Sequence, residues 1–290
     1  MSGDPADGHR RPSGHVKVSR VSIMLGESDK AFQAVADLSF EVAPGELLCL
    51  LGPSGCGKST VLGALAGHLE IATGAITLDG EPVAGPSPDR GLVFQQHTLF
   101  PWKKVRHNVA FGPKMRRVAR RERLKAADDL LALVGLAGFE DFYPAQLSGG
   151  MQQRVEIARV LINHPRVLLM DEPFAALDAQ TRETLQGELL RIWRATGKTI
   201  VFITHGIDEA VVLGQRVAVM TSRPGRIKQV IDIPEVLRSE AEDVRALPEF
   251  GEVRHEVWSL LREEVQKAQQ LAGGVAARRL EREVKEVAHV

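Results

Sequence analysis

Cysteine is nearly absent from this 290-residue chain: Cys49 and Cys56 are the only two. Two thiols this close in sequence make no disulfide framework, and a reducing compartment suits them. Net charge is missing as well. Lysine and arginine number 37, aspartate and glutamate 37, so no electrostatic surplus recommends nucleic acid as the main partner. Long apolar runs are lacking too. No stretch reaches the roughly 18 consecutive apolar residues that a membrane-spanning helix needs, so any hold on a membrane is expected to come through a partner. The segment from Met1 to His15 is polar, rich in Gly, Pro and Asp, and has none of the apolar core of a secretory signal. Residues 1–14 are expected to be disordered. There are no internal repeats. What remains is an ordinary globular composition, 44% hydrophobic, which supports a sizeable core in one large or two modest domains.

Against that plain background one segment stands out. Gly52, Pro53, Ser54, Gly55, Cys56, Gly57, Lys58, Ser59 and Thr60 lie between an apolar run, Leu47-Leu48-Cys49-Leu50-Leu51, and the helix-like Val61-Leu62-Gly63-Ala64-Leu65. The run suits a buried parallel strand. Glycines 52, 55 and 57 let the backbone curl so that successive N–H groups point at phosphate oxygens. Lys58 can reach the β- and γ-phosphates of a nucleoside triphosphate, and Ser59 can place its hydroxyl on Mg²⁺. The following helix adds the positive end of its dipole. Cys56 is expected to be a passive loop residue rather than an alkylation-sensitive thiol.

Downstream residues complete a triphosphate chemistry. Val167-Leu168-Leu169-Met170 is a second buried strand, and it ends in Asp171 and Glu172. An acid at such a strand end can hold Mg²⁺, and the next carboxylate can orient or polarise the attacking water. Gln95 ends a short strand, where its amide can meet Mg²⁺ and that water. His205 follows the apolar strand Thr199–Thr204, and its imidazole can reach the γ-phosphate. Ser148, Gly149 and Gly150 open a helix that is expected to run to Asn163, which makes a second anion site of hydroxyl, free N–H groups and helix dipole. Two anion sites in one chain suggest two chains clamping one nucleotide.

Taken together and in order, these motifs resemble the nucleotide-binding subunits of ATP-binding cassette (ABC) transporters over roughly Val16 to Ile231. They are the Walker A loop Gly52 to Thr60, the Q-loop Gln95, the signature Leu147 to Met151, the Walker B acids Asp171 and Glu172, the D-loop Ala176-Leu177-Asp178 and the switch His205. The nitrate/sulfonate/taurine importer branch is the most similar, through Phe100-Pro101-Trp102, Asn108-Val109-Ala110-Phe111-Gly112 and the run from Asp171 to Arg182. The resemblance implies an α/β fold: a P-loop NTPase core, with a RecA-like sheet plus an antiparallel β subdomain, an inserted α-helical subdomain and a helical C-terminal tail. The ATPase domain is expected over residues 15–232, the insertion over about 103–164 and a charged helical extension over 233–290.

It also implies a mechanism. Two copies would sandwich two ATP molecules head to tail, each between Walker A of one chain and Ser148-Gly149-Gly150 of the other. Glu172 would serve as base or water-orienter, with ATP and Mg²⁺ as ligands. Closure would pull on two integral membrane permease subunits, served by an extracytoplasmic solute-binding protein, and the chain would sit peripherally on the cytoplasmic face of the membrane. A soluble ABC protein of translation or DNA repair and an exporter ATPase are the alternatives. Such soluble proteins usually carry two cassettes or a long coiled-coil insertion, and this chain shows neither. Trp102 fits a partner contact or a core position equally well.

Several positions depart from the family pattern. Met151 stands where the signature usually ends in Gln, and Gly206 follows the switch where Asp is common, which is expected to loosen that turn. Met24 and Leu25 occupy the place of the usual adenine-stacking aromatic, with Phe32 the nearest ring, so an apolar adenine surface is expected. The chain after Pro234 fits a dimer contact, a regulatory element or a solvated tail.

Overall fold

The apolar runs take their places as strands in a computed structural model that describes residues 14–26, 31–96, 98–238 and 244–287, with 269–287 as backbone alone. The segment expected to be disordered therefore lies outside the described residues except for Gly14. The chain opens with β1 (Val16–Leu25), β2 (Phe32–Val42), β3 (Leu47–Leu51), α1 (Lys58–Ala66), β4 (Thr73–Leu78), the short β5 (Glu81–Pro82) and β6 (Arg90–Val93). Four helices follow: α2 (Val105–Val109), α3 (Phe111–Met115), α4 (Arg120–Leu133) and α5 (Gly149–Leu161). Then come β7 (Val167–Asp171), α6 (Ala179–Thr196), β8 (Thr199–Thr204), α7 (Ile207–Leu213), β9 (Arg216–Met220), β10 (Ile227–Asp232) and α8 (Pro248–Val287).

Two sheets form. The smaller is antiparallel, in the order β2-β1-β4-β5. The larger runs β10-β9-β3-β8-β7-β6 and is parallel throughout, except that β10 folds back on β9. This is the expected α/β architecture, with helices inserted between β6 and β7. Strands β3 and β8 are buried at every position, which is why they read as continuous apolar runs. Their side chains still alternate between two cores. Leu48 and Leu50 join Val201, Ile203, Leu62 and Leu65 between the sheets. Leu47, Cys49 and Leu51 join Phe202, Leu189 and the inserted helices through Val105, Leu131 and Val155.

Local signals set the helix ends. The Ser148 hydroxyl accepts from the Met151 N–H at 3.3 Å and caps α5, and Asp178 accepts from Thr181 N–H at 3.0 Å and caps α6. Gly197 stops α6 in the left-handed conformation, φ 59°.

The first half of α8 is docked. Phe250, Val253, Val257 and Leu261 are buried in the core, and Leu260 and Val265 pack partly against it. Arg254 Nε donates to Asp208 at 2.6 Å, at the start of α7. Glu264 is only 2% exposed. It accepts from Ser222 N–H at 3.0 Å, from Lys228 at 3.1 Å and from Lys267 at 3.0 Å. Burial opposes its ionisation, but the Ser222 N–H, Lys267 and Lys228 outweigh that and hold its pKa at about 2, below the ordinary 4.5.

That shift has a measurable consequence. A carboxyl depressed by folding stabilises the chain above its unfolded pKa, and this stability is lost as pH falls from about 4.5 toward about 2. Wild type is expected to exceed Glu264→Gln in stability at neutral pH by on the order of 3 kcal/mol, and the gap should narrow from about pH 5 to pH 3. Urea titrations of both chains across that range measure it. A gap that does not change with pH would mean that the carboxylate charge is not what the site holds.

Candidate functional site

Parallel strands bring their C-terminal ends to one edge, and that edge is where α/β proteins bind ligands. Here Leu51 pairs with Thr204 and Asp171 with Ile203. The segment leaving β3 (the phosphate loop), the acids ending β7 and the histidine after β8 therefore converge, although they lie far apart in sequence. The loop closes onto β2. Gly57 has φ 104°, and a Cβ there would lie 3.0 Å from Val35 Cγ2 and 3.1 Å from Ala34 O, so a side chain would be strained by conformation and crowded by its neighbours.

Within this edge the polar groups are connected. Lys58 is 6% exposed. Its Nζ donates to Gly52 O at 2.8 Å and Pro53 O at 3.3 Å, and lies 3.9 Å from Glu172 Oε1. Ser59 Oγ donates to Asp171 Oδ1 at 3.1 Å. Glu172 Oε2 and His205 Nδ1 are 2.9 Å apart. Glu172 holds a left-handed backbone, φ 44°, with its N–H donated to Ile203 O at 3.1 Å. A non-glycine residue in that region costs on the order of 1–3 kcal/mol, and such strain concentrates at functional sites.

A cavity of about 280 Å³ opens beside these groups, lined by Ser54, Gly55, Gly57, Lys58, Ser59, Thr60, Gln95 and Glu172 but not by Asp171 or His205. Gly52, Pro53 and Cys56 are not among its lining residues; Cys56 is buried behind the loop. Leu25, Phe32, Ala34 and Arg223 complete the wall. Sequence reasoning considered Leu25 and Phe32 but passed over Arg223, which belongs to a Pro-Gly turn and has no local mark of a ligand site. Ser148, Gly149 and Gly150 do not line the cavity. They start α5 against α6, where a Cβ on Gly150 would lie 2.9 Å from Thr181 Cγ2.

The donor set suits Mg²⁺. The Ser59 hydroxyl and Asp171 carboxylate touch each other, and Gln95 lines the cavity together with Ser59. No group of three His, Cys, Asp or Glu is gathered among the described residues, and Mg²⁺ beside phosphates needs only one or two protein oxygens. Burial raises the Asp171 carboxyl above its ordinary range, with Glu172 adding to the effect against the Ser59 hydrogen bond. A cation beside Asp171 would relieve that strain.

The thiols are quiet. Burial pushes Cys49 well up, and it raises Cys56 as well despite the nearby Lys58 ammonium. Neither is expected to react with N-ethylmaleimide in the folded chain, and both should react in guanidinium. Modification of native Cys56 at the rate of a free thiol would contradict this.

Gly206 lies at φ −90°, ψ 120°, where any residue fits, and a Cβ there would make only ordinary contacts. Its turn does not depend on glycine. Met151 packs partly against the core.

Known proteins resemble this chain over most of its length. Residues 35–175 match the family model described as ABC transporter. An uncharacterized ABC transporter ATP-binding protein of Methanocaldococcus jannaschii is 48% identical over 253 residues, covering 87% of this chain and 93% of the relative. The taurine import ATP-binding protein TauB of Roseobacter denitrificans is 48% identical over 232 residues, covering 79% of this chain and 87% of the relative. A dimeric ATP-binding cassette solved in a post-hydrolysis state bound to ADP and Pi aligns with a TM-score of 0.64 at 30% identity, covering 76% of this chain and 99% of that one. The chain belongs to the ABC transporter family, as one of its ATP-binding subunits.

Proposed function

We propose that this chain hydrolyses ATP as a homodimer to drive an importer of a small anionic or organic solute, on the cytoplasmic face of a membrane. The observation that carries the proposal is the division of parts within one chain. Lys58, Ser59, Asp171, Glu172 and His205 share one edge through contacts with one another, while the serine-glycine start of α5 makes none of these contacts and does not line the cavity that Lys58, Ser59 and Glu172 line. In this reading Lys58 leaves the loop carbonyls for the β- and γ-phosphates, and the loop N–H groups hold the same oxygens. Ser59, Asp171 and Gln95 hold Mg²⁺, which when bound neutralises charge on the phosphates. Glu172 orients the attacking water and accepts its proton, and His205 fixes the carboxylate and reaches the γ-phosphate. Ser148, Gly149 and Gly150 of a second copy close the site with the N-terminus of a 13-residue helix. The useful output is the closing and reopening of the dimer.

Transport requires partners. No helix among the described residues is long and apolar enough to cross a membrane. The side chain of Trp102 is 71% exposed, which favours a partner contact over a core position. It lines a cavity of about 460 Å³ with Lys103, Lys104, His107, Lys114, Arg120, Arg123 and Tyr143. An aromatic, basic cleft of this kind suits an acidic segment of a membrane permease. The TauB relatives, named for taurine import, favour a sulfonate-like solute delivered by an extracytoplasmic binding protein, and they favour import over the exporter and non-transport alternatives. A mild-detergent pull-down of the tagged chain from its native membranes tests this. An integral permease and a solute-binding protein are the expected companions. Ribosomal or DNA-repair partners without a membrane protein would overturn the transport role.

A further inference from the structure

The extension after Pro234 reaches the switch through a line of hydrogen bonds. Arg245 lies in the short turn Val244–Ala246 that leads into α8. Its Nη1 donates to Glu183 Oε1 at 2.7 Å and its Nη2 to Gln186 Oε1 at 3.0 Å, both on α6. Gln186 Nε2 donates to Glu209 Oε1 on α7 at 3.1 Å. The other Glu209 oxygen, Oε2, accepts from the Thr204 hydroxyl, and Thr204 Oγ1 accepts from Gly206 N–H at 2.9 Å. Thr204 and Gly206 are the two chain neighbours of His205.

Burial makes these links directional. Gln186 is 3% exposed and Thr204 2%, so a polar atom left unpaired on either finds little water. An amide has one accepting end and one donating end. Arg245 holds the oxygen of Gln186, which turns the nitrogen toward Glu209. Without Arg245 the amide is free to flip and set its oxygen against the carboxylate. Glu209 in turn fixes the direction of the Thr204 O–H. That leaves a lone pair of the hydroxyl for Gly206 N–H and closes a tight turn around His205. The turn matters because His205 has room to swing. Its side chain is 61% exposed, and it shares a cavity of about 620 Å³ with Glu172, Gln186 and Arg245.

We infer that Arg245 is a positioning residue for the switch: the extension holds His205 beside Glu172 through Gln186, Glu209 and Thr204. The contact it secures is the 2.9 Å approach of His205 Nδ1 to Glu172 Oε2. The exposed ion pair with Glu183 steadies the guanidinium but is no link in the line to His205. The extension is then a working part of the ATPase site rather than a solvated tail.

This inference rests on the role proposed for His205 above, and the experiment separates the two. Steady-state ATP turnover and Mg-ATP affinity would be measured for wild type, Arg245→Ala, Gln186→Leu, their double variant, Glu183→Gln, Glu264→Gln and His205→Ala. Arg245→Ala and Gln186→Leu are each expected to lower turnover about tenfold and to leave ATP affinity unchanged. The double variant should be no slower than the slower single, because both break one line. Glu183→Gln removes the ion pair and keeps the relay, and Glu264→Gln loosens α8 without touching the relay. Both should turn over within about twofold of wild type. Full turnover in Arg245→Ala, losses that multiply in the double variant, or a parallel loss of ATP affinity would overturn the relay and leave the ATPase role standing. A loss in Glu264→Gln equal to that in Arg245→Ala would assign the effect to general loosening of α8 and overturn it too. Full turnover in His205→Ala would overturn the role of His205 itself, and the relay with it.

Discussion

Replacing Glu172 with Gln is expected to lower ATP turnover by about 10²–10³-fold while ATP affinity holds or rises, because removal of a general base typically costs about 10²–10⁴-fold. Gln has the same shape, keeps a hydrogen bond to His205 in place of the 2.9 Å contact, and demands nothing new of the φ 44° backbone. What it removes is the negative charge and the proton acceptor. Removing a carboxylate 3.9 Å from Lys58 frees that ammonium for the phosphates, so binding should not suffer. Steady-state phosphate release and nucleotide titration separate the two effects. Full turnover in Glu172→Gln would remove this residue from the chemistry. Lost binding would make it a structural clamp on the loop.

Ser148→Arg is expected to abolish ATP-dependent dimerisation and bring turnover down to about the Glu172→Gln level, leaving the fold and single-chain ATP binding in place. Losing the hydroxyl that caps α5 costs about 1 kcal/mol, too little to unfold a domain of ordinary stability. The larger effect is steric. A long side chain would occupy the helix start on which a partner's phosphates are proposed to rest. Ser148, Gly149 and Gly150 neither line the cavity of their own chain nor contact the residues that do the chemistry in it, so in the proposed arrangement a loss of turnover at Ser148 acts through a second copy. Ser148→Ala is the control: it removes cap and hydroxyl without bulk and should keep part of the activity. Intact dimerisation in Ser148→Arg would disprove the head-to-tail arrangement.

The central strands and the groups at their ends were legible for a physical reason. A parallel strand buried on both faces writes itself as an unbroken apolar run, as in Leu47–Leu51 and Thr199–Thr204. Whatever follows such a run sits at the ligand edge, so Lys58 could be placed there with its loop, and Asp171, Glu172 and His205 once that loop stood beside them. Arg223 could not. Its place over the loop depends on β9 pairing with β3 and on Gly225 bridging to β2, and neither contact leaves a trace in the local sequence. The extension after Pro234 was ambiguous for a related reason. An apolar stripe at Val253 and Val257 marks a helix face, but only the packed structure shows that the face is covered. The loose turn expected at Gly206 came from residue type alone, whereas the observed φ of −90° needs no glycine.

The most direct test of the account is the mass of Glu172→Gln in solution by sedimentation velocity, with and without saturating Mg-ATP. The account predicts a chain that is monomeric alone and doubles its mass with ATP, carrying one nucleotide per chain, and that stays monomeric when Ser148→Arg is added. A chain that binds ATP yet remains a monomer, or one whose dimer ignores Ser148→Arg, would contradict the shared site at the centre of the proposed function.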